Sequence, residues 1–204
     1  MTTMTNPRKL SLADIADLRA YERERDEFRA RVMDLKRKRR VSVGPICTLL
    51  FENRDTIRFQ VQEMARVEKL ITDEAIQGEL EVYNPLIPEP GMLCATLFLE
   101  LTDEMQLREW LPKLVGIERS VRIRIGDGDD AVDVVSIPEE SHEAQLTREE
   151  TTASVHYIWF QFSPDQIDRF KNEPVALVID HDHYQHSTPL DPVTVAELLN
   201  DLRD

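Results

Sequence analysis

Val155-His156-Tyr157-Ile158-Trp159-Phe160-Gln161-Phe162 is the stretch on which the fold class turns. β-Branched and aromatic side chains dominate it, which suits a pleated surface and predicts a strand. Ser163-Pro164-Asp165-Gln166 follows, an N-cap with Pro at N1 and Gln at N3, so a short helix opens there. Further on, Val175 to Ile179 reads as another strand, and Asp191-Pro192 caps a last helix carrying Val195, Leu198, Leu199 and Leu202. Toward the N-terminus, residues 138–152 are acidic and aperiodic, an expected exposed loop. Before them, Val121-Arg122-Ile123-Arg124-Ile125 alternates, turns through Gly126–Asp130, and resumes as Val132-Asp133-Val134, a hairpin signal. Leu93 to Leu101 is a mostly apolar strand. Thr102 can cap a helix over 103–115, closed by Gly116.

The first ninety residues have the helical period instead. Ser11 as N-cap, with Asp14 three residues on, opens a helix expected to run from 12 to 39, roughly 42 Å at 1.5 Å per residue. After Gly44-Pro45 no Gly or Pro interrupts the chain to Ile71, and Leu50, Ile57, Val61, Met64 and Ile71 form an apolar stripe, so a second helix is expected there. A third fits Asp73 to Tyr83, ended by Asn84-Pro85. The expected fold is α+β: long N-terminal helices, then a mainly antiparallel sheet with helices packed on one face. The expected organisation is a single domain over 1–204, helical in 1–90 and sheet-rich in 91–204.

Composition limits the function. The chain has 204 residues, 41% hydrophobic and 31% charged, enough to bury a core. Six glycines leave no glycine-rich phosphate cradle. A net charge of -14 disfavours nucleic acid and anionic membranes as partners. No apolar run approaches the roughly 20 residues of a membrane span, and MTTMTNPRKL lacks a secretory hydrophobic stretch, so membrane insertion is not expected and a cytoplasmic protein is. The charge is uneven: residues 1–40 hold 12 Lys and Arg against 7 Asp and Glu, and the remainder holds 13 against 32. The basic excess peaks at Lys36–Arg40, before a helix-ending Gly44-Pro45. Without interleaved aromatics, docking onto the acidic remainder or an acidic partner suits this cluster better than nucleic acid.

Three places could carry chemistry. His181-Asp182-His183-Tyr184-Gln185-His186 follows an apolar strand; if the strand continues, His181 and His183 share a face as candidate metal ligands. His186 lies in the same segment, and His156 on the neighbouring strand is the distant candidate. The opposing reading is a polar strand exit meeting water. In the second helix, Glu52, Thr56, Gln60 and Glu63 fall on one face. Glu52 and Glu63 are candidate acid–base residues, yet at roughly 16 Å along a helix they cannot act as one pair. Asn53, Arg54, Gln60 and Arg66 are candidate ligand-binding residues there, Arg54 and Arg66 for an anionic group. An exposed face with contacts such as Glu63–Arg66 explains the same spacing. Asp127-Gly128-Asp129-Asp130 fails the EF-hand spacing and reads as a turn. Cys47 and Cys94 have apolar neighbours and no basic partner beside them, and Ser141-His142 lacks an orienting group.

Gly44-Pro45, Phe51-Glu52-Asn53-Arg54-Asp55-Thr56 and Gln60-Val61-Gln62-Glu63-Met64, with Ala153–Tyr157 and Ile179–Tyr184, resemble the bacterial family catalogued as domain of unknown function 3501. The likeness spans nearly the whole chain. Members are commonly encoded beside a rubrerythrin-like protein and an iron–sulfur oxidoreductase, so the resemblance implies an accessory or binding protein of an iron- or redox-linked module, with redox proteins as partners. It also aligns Glu52, Asn53, Arg54, Gln60 and Glu63 with the family's helical motif, and His156, His183 and Tyr184 with its sheet motif. Should these converge, a mixed Glu/His pocket would suit a first-row transition metal, Fe, Mn or Zn, and a metal-dependent hydrolytic or oxidative enzyme is the alternative.

Overall fold

The computed structural model describes residues 6–139 and 151–203. The chain divides into two compact units, Met1–Arg37 with Glu52–Glu89, and Lys38–Phe51 with Pro90–Asp204. The fold class is α+β, with six α-helices among the described residues and two mainly antiparallel sheets.

The first unit is helical. Ser11 and Asp14 form the expected capping box, but on a single 3-10 turn, Leu12–Asp14. Helix α1 starts only at Leu18 and runs to Arg39, about 33 Å. The break has a definite cause. Gln62, fully buried, accepts from the Ala16 amide at 3.0 Å and donates to the Ala16 carbonyl at 2.9 Å, which takes both groups from a helical ladder. Asp17 then caps α1 by accepting from the Ala20 amide at 2.9 Å. Helix α2, Arg54–Glu68, is capped by Asn53, and α3, Asp73–Tyr83, by Thr72. Tyr21, Phe28, Val32 and Phe59 form a small aromatic core, with Phe28 edge-on to both Tyr21 and Phe59.

The second helix does not begin at Pro45. Residues 47–52 form a strand, and the helix expected over 45–71 is confined to α2. Strand β1, Arg40–Val43, turns through Gly44-Pro45 into β2, Cys47–Glu52, with Val43 opposite Cys47. All six residues of β2 are buried. A short continuous apolar run of this kind suits a strand covered on both faces, and helix periodicity cannot distinguish it.

The second unit is built on two sheets where the sequence suggests one. One has the order β1-β2-β3-β7-β6, with β3 Met92–Leu99, β6 Ile137–Pro138 and β7 Val155–Gln161. The other has the order β5-β4-β8-β9, with β4 Val121–Ile125, β5 Val132–Val135, β8 Val175–His181 and β9 Tyr184–Pro189. Both sheets contribute to one core, Leu49, Leu97, Phe160, Ile123 and Leu177 among its fully buried members. Of the aromatic side chains at 157–162, Phe160 and Phe162 are buried, while Tyr157 and Trp159 face the other way and are half-buried. Helix α4, Glu104–Lys113, is capped by Asp103, one residue past the expected Thr102. Helix α5, Pro164–Asn172, has the expected Ser163–Gln166 capping box, and α6, Pro192–Arg203, closes the unit. The expected loop 138–152 falls largely outside the described residues; Pro138 at its start is in β6.

The basic cluster yields one fully buried charge. Arg39 donates through Nε to the Phe51 carbonyl at 2.8 Å, through Nη1 to Glu197 at 3.0 Å, and through Nη2 to Asp201. The planar guanidinium thus ties β2 to two successive turns of α6. Removing one side of such a pair strands the other. Arg39→Ala is expected to lower the unfolding free energy by about 3–5 kcal/mol, and Arg39→Met by less, as read by urea denaturation. Equal losses would show that the charge and its hydrogen bonds, and not the volume, matter.

Candidate functional site

The residues singled out in the sequence fall in both units. In the first, Glu52 ends β2 and accepts from the Thr56 hydroxyl at 2.5 Å. Asn53 spends its side chain on the α2 N-terminus, accepting from the Asp55 and Thr56 amides. Arg54 donates to Asp14 at 2.6 Å, and Arg66 to Glu22 at 2.5 Å. Gln60 is half-buried on α2. Glu63 is the best held. It accepts both Nε and Nη2 of Arg25 at 2.8 Å, and the Tyr21 hydroxyl at 2.6 Å. Its partners are on α1, not at Arg66 in its own helix. The Arg25 fork, and then the Tyr21 hydroxyl, hold the Glu63 carboxyl below the usual carboxylate range against the opposing effect of burial. Burial and the adjacent carboxylate raise the Tyr21 phenol above its usual value. The helical motif therefore works mainly as the set of ties joining α1 to α2.

In the second unit the histidine strand does not continue. β8 ends at His181, Asp182 and His183 make a two-residue turn, and β9 starts at Tyr184. His183 is consequently exposed in the turn. His181 accepts from the His183 amide at Nδ1, 3.2 Å, so its proton sits on Nε2 and is donated to the Val115 carbonyl at 3.0 Å. Both ring nitrogens are thereby occupied. The exposed His186 packs beside Tyr184, the two rings tilted by 53° with centroids 4.4 Å apart. Among the described residues no three His, Cys, Asp or Glu side chains gather as a metal site.

Tyr184 explains why two distant parts of the sequence belong together. Its hydroxyl donates to the Val43 carbonyl at 2.7 Å and accepts from the Ile46 and Cys47 amides at 3.1 and 3.2 Å. It thus satisfies the backbone of the turn around Gly44. Gly44 has φ of +71°, and a Cβ there would meet the Tyr184 hydroxyl at 2.4 Å. Only glycine suits that approach. Burial pushes the Tyr184 phenol up to about 12, and burial likewise pushes the Cys47 thiol up to about 12. Cys94 is fully buried, and both cysteines are free thiols.

Glu118 went unnoticed in the sequence. It is 2% exposed on the 3-10 turn Ile117–Arg119, and its Oε2 has no hydrogen-bond partner among the described residues. That oxygen lies 4.0 Å from Nδ1 of the buried His156, whose Nε2 is held by the Thr152 hydroxyl at 3.0 Å and the Ala153 carbonyl at 2.9 Å. A lone Glu in Ile117-Glu118-Arg119 reads as surface, so nothing local signals its burial. The pair supplies two donors, fewer than the three protein ligands usual in a catalytic zinc site.

Two outcomes test these assignments. Tyr184→Phe is expected to cost about 1–3 kcal/mol by leaving the turn amides and carbonyl unsatisfied, with the secondary structure retained in circular dichroism. Because the folded carboxyl of Glu63 lies below its unfolded value of about 4.3, its stabilisation is full above that pH and fades as pH falls through the folded value. Glu63→Gln is therefore expected to lose about 1–3 kcal/mol at neutral pH and progressively less toward pH 3, read as the gap between the two urea curves. A gap independent of pH would exclude the charge as its source.

A crystal structure of a novel protein of unknown function from Burkholderia pseudomallei K96243 matches with a TM-score of 0.85 and 36% identity, over 95% of this chain and 99% of that one. No curated protein matches. The sequence profile described as "Protein of unknown function (DUF3501)" matches residues 9–202. With nearly its full length matched by that profile, the chain belongs to the DUF3501 family.

Proposed function

We propose that the chain is a cytoplasmic accessory or binding protein that works with redox partners of the rubrerythrin and iron–sulfur oxidoreductase kind. The partner class comes from the family resemblance. The observation that carries the binding role is where the polar side chains go: Glu63, Asn53, Arg54 and Arg66 are each engaged in ties within the first unit. His181 likewise has both ring nitrogens engaged in its own loop. These side chains hold the protein's shape and leave surface recognition as the readiest use of the fold. No helix among the described residues is long and apolar enough to cross a membrane. The second reading, a metal-dependent enzyme, is favoured by a single feature, the Glu118 oxygen that lies beside His156 with no hydrogen bond among the described residues.

One purification separates the two. The chain, carrying a tag without histidines, is isolated anaerobically from cells expressing it together with a rubrerythrin-like protein and an iron–sulfur oxidoreductase. Co-elution of either at physiological salt is the expected outcome. Absence of both, together with bound iron, manganese or zinc that Glu118→Gln abolishes, would reverse the order of the readings.

A further inference from the structure

A groove of about 320 Å³ lies in the first unit, between the segment leading into α1 and the segment joining α2 to α3. Leu12 and Ile71 line it and are 37% and 84% exposed, while Ile15, Leu70 and Ile76 line it half-buried. Ile71 is the most exposed large apolar side chain among the described residues. The volume is at the low end of the roughly 300–1,000 Å³ of small-molecule pockets, and suits a few inserted side chains of a partner better than an enclosed cofactor.

The charge around the groove indicates what those side chains belong to. Residues 70–91 contain five Asp and Glu and no Lys or Arg. Asp73, at the groove, and Glu74, Glu79 and Glu81 farther along α3 make no ion pair among the described residues, unlike Glu22 and Glu63 on α1 and α2. Burial, and then the negative charge of Glu68, raise the Glu79 carboxyl above its ordinary value, so like charges are already crowded on this wall. A cationic partner relieves that crowding. An anion would find little here. Asp17 and Thr72 already cap the two helix starts, accepting from the Ala20 and Ala75 amides, and Arg19, the one cation among the lining residues described, shares that lining with two acids, Asp17 and Asp73.

We propose that this groove docks an amphipathic, Lys- and Arg-bearing helical segment of a partner protein, its apolar side chains entering beside Ile71 and its cations lying along α3. The proposal rests on the accessory-protein reading and specifies its contact surface. In this arrangement apolar anchors at helical spacing supply the contact, and the acidic wall selects the sign of the partner.

The test uses the full chain, labelled with ¹⁵N, and two synthetic amphipathic peptides of Leu with Lys and of Leu with Glu in the same positions. The Lys peptide is expected to shift the amides of Leu12, Ile15, Leu70 and Ile71. Ile71→Ser, or the pair Glu74→Lys and Glu81→Lys, should weaken it at least about tenfold. All these positions but Leu70 and Ile15 are exposed, so the variants keep the fold, which circular dichroism verifies. Shifts confined to other surfaces, equal binding of the Glu peptide, or unchanged affinity in Ile71→Ser would overturn the proposal. The accompanying reading fails separately. If Ile71→Ser still co-purifies with redox partners as wild type does, the groove assignment falls and the accessory role stands. If wild type co-purifies with none yet the Lys peptide binds as described, the groove stands and the choice of redox partners falls.

Discussion

A guanidinium with no access to water must find its counter-charges inside the protein, and Arg39 finds them on the last helix. Its three bonding directions join the β2 carbonyl at Phe51 to Glu197 and Asp201, residues separated from it by most of the chain. Closing so long a loop is entropically costly, and a buried ionic contact that tolerates little displacement fixes the register once it is closed. Strands β1 and β2 and helix α6 are held by this contact at the base of the second unit. The Tyr184 hydroxyl does for the hairpin turn what Arg39 does for its end. The first unit has the same logic at smaller scale, where Glu63 receives Arg25 and Tyr21, and Gln62 clips the backbone at Ala16.

Much of the fold is legible from local signals. Ser163-Pro164 and Asp191-Pro192 announce helices because capping depends on a few adjacent residues, and the helices begin where they stand. The change of period at residue 93 announces β3 because the direction of successive side chains is itself local. Misreadings arise where distant contacts decide. The helix expected from residue 12 is broken by Gln62, and the first part of the helix expected from Pro45, residues 47–52, is a strand because both its faces are covered. One expected sheet is two, since strand neighbours are chosen by packing across the chain.

The candidate site is less legible, for a related reason. Polar residues in a helix pattern announce that they are polar, not what they meet. Glu63 reads as a free acid until Arg25 is seen beside it, and His183 reads as the partner of His181 until the two-residue turn is seen between β8 and β9. Conversely Glu118, buried beside His156, has no local signature. The family's quoted motifs combine Gly44 with Tyr184, whose close approach is a requirement of the turn's geometry, and such a pair marks architecture as readily as chemistry.

The buried thiols carry a consequence of their own. With its thiol pushed up to about 12 by burial, Cys47 keeps its proton at neutral pH. Thiol–disulfide exchange and oxidation to sulfenic acid both begin from the thiolate. Cys47 is also 1% exposed, and Cys94 is fully enclosed. A protein so built keeps both thiols out of exchange and oxidation chemistry for as long as it stays folded, and any such reaction reports on its opening.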